Sequence, residues 1–395
     1  MTDEVPDRPR NELRGAARLL GEAVGLIARP IERTQRHVVE RITTSLGPVG
    51  EPVRRGHDAI ASLSYRAVGI TSTLVGEAVA TAASVAGRPR DPLLDRSPVG
   101  SGVVAAINGL LGDRLAASSN DLEIGLTLRH HDADLPVRTD ALRSAHPRAG
   151  DHLVLLVPGL GETEHAWRFR RSRRAPIVPD YGSRLAAELG ICPLYLRYNT
   201  GQPLVTSAAR LSELLENIVV SWPVPVRRID LVGHSMGGIV IRLAAAASAD
   251  ARWSRLVGHM VYLGSPHAGA ALAQGAGALA RLLTARTGSR AWGELLDLRS
   301  AGIKDLGAGV GSAPATPLAH AKHHTVIAEL TNSERHPVAR LLGDVLVSSG
   351  SAQLEVGDRL RIARAHHLDL LNHAEVYQAL LRWLGDRSEI SRTPP

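Results

Sequence analysis

The stretch LVGHSMGGIV, residues 231–240, decides how this chain is interpreted. Strand-like apolar residues lead into Gly-His-Ser-Met-Gly-Gly, and a helix-like apolar run follows. A sharp strand-to-helix turn at Ser235 explains the glycines, because side chains at Gly233 and Gly237 would collide there. The stretch therefore predicts a strained backbone at Ser235. We expect its hydroxyl to stand exposed above a sheet, facing the N-terminus of the next helix.

The composition limits the class of protein. The chain has 395 residues, of which 44% are hydrophobic and 3% aromatic, so we expect a large core of Leu, Val, Ile and Ala. The net charge of +7 comes from scattered arginines without a nucleic-acid motif, and we expect no nucleic-acid partner. The single cysteine, Cys192, lies in a strand-like run and is predicted to be a core thiol.

Residues 1–118 form a predicted helical N-terminal region. The first residues lack the order of a signal peptide, so a cytoplasmic location is expected. The apolar run 67–87 could span a bilayer, but Glu77 interrupts it, and a packed or interfacial helix is favoured. The apolar stripes of this region are expected to pack against protein. The alternative is peripheral membrane contact, which flanking arginines would assist.

From Leu122 onward, strand patterns alternate with helical patterns. Residues 122–130 and the stretch ADLPVRT are predicted to form a strand pair. Buried-strand runs follow at 152–159, 192–198, 228–234, 259–265, 324–330 and 359–365. Strands separated by helices predict a mostly parallel sheet with helices on both faces.

A catalytic serine needs a histidine base, an acid that orients the base, and N–H donors for the oxyanion. In the α/β-hydrolase arrangement the order along the chain is serine, acid, histidine. The acid candidate is Asp344, in GDVLVSSGSA after the strand run 324–330. Glu329 and Glu334 compete with it, and Asp344 could instead cap a short helix.

The base candidate is His367, on the predicted loop before the last helix and followed by leucines. His366 and His373 are the alternatives. For the oxyanion, the loop that opens with Gly159 offers the backbone N–H of Leu160, with Gly161 as the alternative. Met236, the residue after the serine, offers the second N–H.

Together the motifs VPGLGETEHAW, LVGHSMGG, LGSPHAG, GDVLVSSGSA and HHLDLLNHAEVYQALLRWL resemble the α/β-hydrolase superfamily. Within it, residues 150–386 resemble bacterial lipases and esterases and the lipase-like domain of glycosylphosphatidylinositol inositol-deacylases. The resemblance implies Ser235 as nucleophile, Asp344 as acid, His367 as base, and Leu160 and Met236 as oxyanion donors. The chain departs from these lipases in having Pro-Gly where they often have His-Gly, and in its N-terminal helices.

These patterns predict an α/β-hydrolase fold with a mostly parallel central sheet, a helical N-terminal extension and a helical cap insertion. The predicted hydrolase domain spans 119–388 with the cap at about 268–320, and a disordered tail follows at 389–395.

The expected function is hydrolysis of carboxylic esters, lipid-like or otherwise apolar, through an acyl-enzyme on Ser235. Acyl transfer by the same triad is an alternative, as is a non-catalytic lipid-surface or scaffold protein. We expect no cofactor and no metal, because His320, His323 and His324 lack the carboxylate and cysteine companions of a zinc site.

Overall fold

The structure is a computed structural model that describes Gly15 and residues 98–169, 178–267, 300–308, 318–329, 357–365 and 367–386. Helices and strands are numbered along these residues. The predicted apolar run 67–87, most of the predicted cap and the predicted tail lie outside them. No helix within the described ranges is long and apolar enough to cross a membrane.

Within the described residues, eight strands form one sheet in the order β2-β1-β4-β3-β5-β6-β7-β8. The strands are β1 (Thr127–His130), β2 (Ala133–Leu135), β3 (His152–Val157), β4 (Cys192–Arg197), β5 (Arg228–His234), β6 (Val257–Leu263), β7 (Lys322–Glu329) and β8 (Asp358–Ala363). Strand β1 pairs antiparallel with β2 and β4, whereas β3 to β8 run parallel to one another. The predicted mostly parallel sheet is therefore confirmed.

The α-helices lie mainly between the strands of the sheet. They are α1 (Pro98–Ala117), α2 (Thr139–Ala145), α3 (Tyr181–Leu189), α4 (Leu204–Ser221), α5 (Met236–Ala247), α6 (Arg252–Arg255), α7 (Ala301–Ala308) and α8 (Ala374–Gly385), with 3-10 helices η1 (Glu164–Arg168) and η2 (His367–Leu371). Local chemistry sets the ends of α3. Asp180 caps its first turn by accepting from the Ser183 N–H at 3.0 Å, and Gly190 ends it with φ 71°.

Two apolar layers enclose the central strands. Successive strand residues point to opposite faces, so Leu155 and Leu156 of β3 belong to different layers. Leu155 shares its layer with buried residues of α4 and α5, and Leu156 shares the other with residues of α3 and α8. Both leucines are fully buried. Burial on both faces explains why residues 153–157 of β3 form a continuous apolar run in the sequence.

The chain divides into two compact units, and the larger one includes Ser101–Asp113 of α1 together with the strands and helices from Ile124 onward. Within this unit α1 contacts the loop after β4, because Asn199 Nδ2 donates to the Gly112 carbonyl at 2.9 Å. Ser300 Oγ donates to the Gly109 carbonyl at 2.6 Å. The domain boundary after residue 118 stays a prediction.

A buried ion cluster holds η1 against the sheet. Glu164, the first residue of η1, accepts from Arg197 of β4 at 2.6 and 2.7 Å and from Arg129 of β1 at 3.1 Å. Burial by itself raises the pKa of Glu164, but the hydrogen bonds and charge of Arg197, with the charge of Arg129, lower it below its usual value. The carboxylate therefore stays charged, and its ion pairs hold the segment that follows β3 against β1 and β4.

We expect Glu164→Gln to lower the free energy of unfolding by about 3–5 kcal/mol, because it removes the buried carboxylate charge that the guanidinium groups of Arg197 and Arg129 face. Urea unfolding at neutral pH measures the change. The matched control is Asp140→Asn, which breaks an exposed pair with Arg138 whose side chains are 66% and 75% exposed. A loss for Glu164→Gln no larger than that of the control contradicts the assignment.

Candidate active site

Ser235 occupies the turn between β5 and α5 with φ 50° and ψ −119°, a left-handed φ that non-glycine residues rarely adopt. The neighbouring glycines make this turn possible. A Cβ on Gly233 would lie 2.5 Å from the Gly238 nitrogen, and one on Gly237 would lie 2.3 Å from the Val157 carbonyl oxygen. The strained strand-to-helix turn that the sequence predicts is therefore present.

Ser235 is more enclosed than the sequence suggests, since the residue is only 8% exposed. The loop after β3 lies against it: a Cβ built on Gly159 would be 3.0 Å from the Ser235 Cβ. On another side, the Ser235 N–H donates to the Leu263 carbonyl at the end of β6 at 2.8 Å. The serine thus lies beside the segment from which the oxyanion donor is expected.

The backbone N–H groups of this loop have different partners. The Gly159 N–H donates to Glu162 Oε2 at 2.6 Å, and the Gly161 N–H donates to Thr200 Oγ1 at 2.9 Å. The Leu160 N–H, between them, makes no hydrogen bond within the part of the chain that the structure describes. This favours Leu160 over Gly161 as an oxyanion donor. Met236 begins α5, where first-turn N–H groups lack intrahelical partners.

His367 is the first residue of η2, and its ring lies against the backbone of Gly264, directly after β6. A Cβ on Gly264 would be 2.9 Å from His367 Nδ1, and Gly264 itself has φ 62°. Burial, and then the charge of His234, lower the pKa of His367 to about 3. The imidazole is therefore neutral near pH 7, which is the form a general base requires.

Ser235 and His367 both lie next to the end of β6, but no hydrogen bond joins their side chains among the described contacts. Catalytic hydrogen bonds are often long before substrate binds. Of the acid candidates, Glu329 ends β7, whereas Asp344 and Glu334 lie outside the described residues. The acid assignment stays a prediction.

Of the two alternative bases, His373 has another role. It caps α8 by accepting from the Glu375 N–H at Nδ1, and its own N–H donates to the Tyr181 hydroxyl at 2.6 Å. His366 lies outside the described residues.

Two residues near Ser235 were missed by the sequence analysis. Glu162 contacts His234, the residue before the serine, with carboxylate oxygens 2.9 and 3.0 Å from His234 Nδ1. His234 Nε2 lies 3.3 Å from the His367 carbonyl oxygen. The only signal in the sequence is a Gly-x-x-Glu spacing at 159–162, which resembles a capping box because the carboxylate reaches back to the Gly159 N–H.

The three histidines weighed above as a zinc site make hydrogen bonds to different groups. His320 contacts the Ser254 carbonyl, His323 contacts Tyr262, and His324 contacts His259. Among the described residues, one group brings three possible ligand atoms within 4.8 Å of one another, namely Asp132, Glu164 and His165. The two arginines on Glu164 place positive charge at that group, which opposes binding of a cation.

Comparison with known proteins gives one family and a set of solved structures. The family model for the PGAP1-like alpha/beta domain matches residues 198–284, which include Ser235. No curated protein sequence matches the chain.

The lipase BlEst2 from Bacillus licheniformis is 17% identical, with a TM-score of 0.43, over 60% of this chain and 94% of that one. A lipase-esterase related protein from Clostridium acetobutylicum is 12% identical, with a TM-score of 0.36, over 59% and 95%. A carboxylesterase from Nitrososphaera gargenis is 13% identical, with a TM-score of 0.39, over 66% and 93%.

The parallel sheet, the Ser235 turn and the family match agree with one another. The chain is therefore an α/β-hydrolase-fold protein whose residues 198–284 match the PGAP1-like alpha/beta domain, as the resemblance implied.

Proposed function

We propose that this protein is a serine hydrolase that cleaves carboxylic esters through an acyl-enzyme on Ser235. The observation that carries the proposal is the backbone of Ser235, held at φ 50° between β5 and α5 with the Gly159 loop against it. Strained non-glycine residues cluster at active sites, where the surrounding structure maintains them. The fold and the family match support hydrolase chemistry.

In the first half of the reaction, Ser235 Oγ attacks the ester carbonyl carbon and His367 takes the hydroxyl proton. The negative charge on the carbonyl oxygen is met by the N–H groups of Leu160 and Met236. The intermediate collapses, the bond to the alcohol oxygen breaks, and His367 returns the proton to that oxygen. The alcohol leaves, and the acyl group stays on Ser235.

In the second half, His367 removes a proton from water, and the resulting nucleophile attacks the acyl carbon. Collapse breaks the bond between the acyl carbon and Ser235 Oγ, His367 returns its proton to that oxygen, and the carboxylic acid leaves. Asp344, in this proposal, accepts the other ring N–H of His367 and stabilises the imidazolium that forms in each half. Replacement of water by an alcohol gives acyl transfer with the same residues.

The surroundings of the base support an apolar ester as the substrate. Leu368, directly after His367, keeps 42% of its surface exposed, and Leu160 at the proposed oxyanion site is only partly buried. Apolar side chains that stay partly exposed at the proposed base and oxyanion donor suit an alkyl or acyl chain better than a charged group, because burial of alkyl surface is favourable. A lipid-like ester is the proposed substrate class.

We expect Ser235→Ala to abolish hydrolysis of p-nitrophenyl esters, from acetate to palmitate, and labelling by a fluorophosphonate probe. The reason is that the acyl group then has no nucleophile, and loss of one triad member removes several orders of magnitude of rate. Ser248→Ala, at the other end of α5, is the matched control and should label and turn over as the wild type does. Comparable turnover in purified Ser235→Ala refutes the proposal.

We expect His367→Ala to reduce kcat about as strongly as the serine change, because no group then accepts the Ser235 proton. The control is His373→Asn, which removes the second imidazole but keeps a side chain able to cap α8. Steady-state kinetics on one activated ester compares them. If His373→Asn is the inactive variant and His367→Ala is not, the base has been assigned to the wrong histidine.

The pH dependence tests Asp344. The described surroundings lower the pKa of His367 to about 3, whereas a carboxylate on its ring would raise that pKa by stabilising the imidazolium. His367 must be neutral to act, so activity falls as pH drops through its pKa. We therefore expect the acid limb of fluorophosphonate inactivation to lie at lower pH in Asp344→Asn than in the wild type. An unchanged acid limb excludes Asp344 as the partner.

A further inference from the structure

A chain of contacts runs from the loop after β3 to the backbone of the base. Glu162 is its first member, with a side chain that is 14% exposed. Glu162 Oε2 accepts from the Gly159 N–H at 2.6 Å and lies 3.0 Å from His234 Nδ1. His234, whose side chain is fully buried, then reaches the His367 carbonyl oxygen through Nε2 at 3.3 Å.

His234 lies between two oxygen acceptors. Its Nδ1 faces the Glu162 carboxylate, and its Nε2 faces the backbone carbonyl of His367. The ring therefore links the side chain of Glu162 to the backbone of the proposed base.

We propose that Glu162 is a positioning residue, whose carboxylate ties the oxyanion loop to His234 and, through His234, to the backbone of His367. The inference rests on the proposed function, because it assigns roles relative to the Ser235 nucleophile. Glu162 itself touches no reacting atom in this scheme.

The Gly159 contact is the one that acts on the oxyanion. A hydrogen bond on the Gly159 N–H fixes the peptide unit before it, and the next N–H along the chain is that of Leu160. The Gly161 N–H is held from the other side by Thr200. With both neighbours held, the Leu160 N–H has a defined direction, and a preorganised donor is what stabilises a developing oxyanion.

Positioning of this kind affects the transition state more than substrate binding. We expect Glu162→Ala to lower kcat on the order of 10²-fold, similar to the loss of one oxyanion donor, with KM changed less than about 3-fold. Glu162→Gln should recover most of this loss, to within about 10-fold of the wild type. Its single amide oxygen can occupy the place of Oε2, which reaches both donors.

The matched control is Thr163→Ala, which removes the acceptor of the His165 N–H in the same loop. Thr163 takes no part in the series of contacts that links Gly159, Glu162, His234 and His367. It should keep the kcat of the wild type.

His234→Ala in the Glu162→Ala background tests whether the contacts act as one series. If the two residues act through one another, the double variant should be little slower than Glu162→Ala, because effects along one chain are not additive.

The variants separate the possible failures. Wild-type kcat in Glu162→Ala, with Ser235→Ala inactive, overturns this inference and leaves the proposed function standing. Activity in Ser235→Ala overturns the proposed function itself. Equal losses of kcat and of melting temperature in Glu162→Ala and Thr163→Ala show a merely structural loop residue and also overturn the inference.

Discussion

Ser235 can keep its left-handed backbone only while no side chain stands at Gly233 or Gly237. Such strain costs about 1–3 kcal/mol and must be held by the surroundings. The holding contacts come from β6 and from α5: the Ser235 N–H donates to the Leu263 carbonyl, and the Gly238 N–H donates to the Ser235 carbonyl. The parallel register of β3, β5 and β6 therefore determines where the hydroxyl can be, and the loops after β3 and β6 must meet around it.

Two carboxylates hold the loop after β3 in different directions. Glu164 binds Arg129 and Arg197 and fixes η1 to the antiparallel side of the sheet. Glu162, two residues earlier, binds Gly159 and His234 next to the serine. The position of the proposed oxyanion donor thus depends on charge pairing as well as on apolar packing. The two carboxylates hold different parts of the loop because their partners differ.

The sequence predicts the elements well because their patterns are local. The strand pattern of β5 and the periodicity of α5 lie within twelve residues of Ser235, and the glycine spacing indicates the turn directly. The pairing of Glu162 with His234 joins residues 72 apart in the chain, and no local pattern records it. The approach of α1 to Asn199 is similar, since it depends on Gly112, where a Cβ would lie 1.8 Å from the Asn199 Oδ1.

The central claim is that Ser235 carries the acyl group between the two halves of the reaction. Acid quenching of wild-type protein during turnover of a p-nitrophenyl ester, followed by peptide mass spectrometry, tests it most directly. The account predicts the mass of one acyl group on the peptide that contains Ser235, and no such mass in His367→Ala. Turnover with no acylated peptide, or with the acyl group on another residue, contradicts the account.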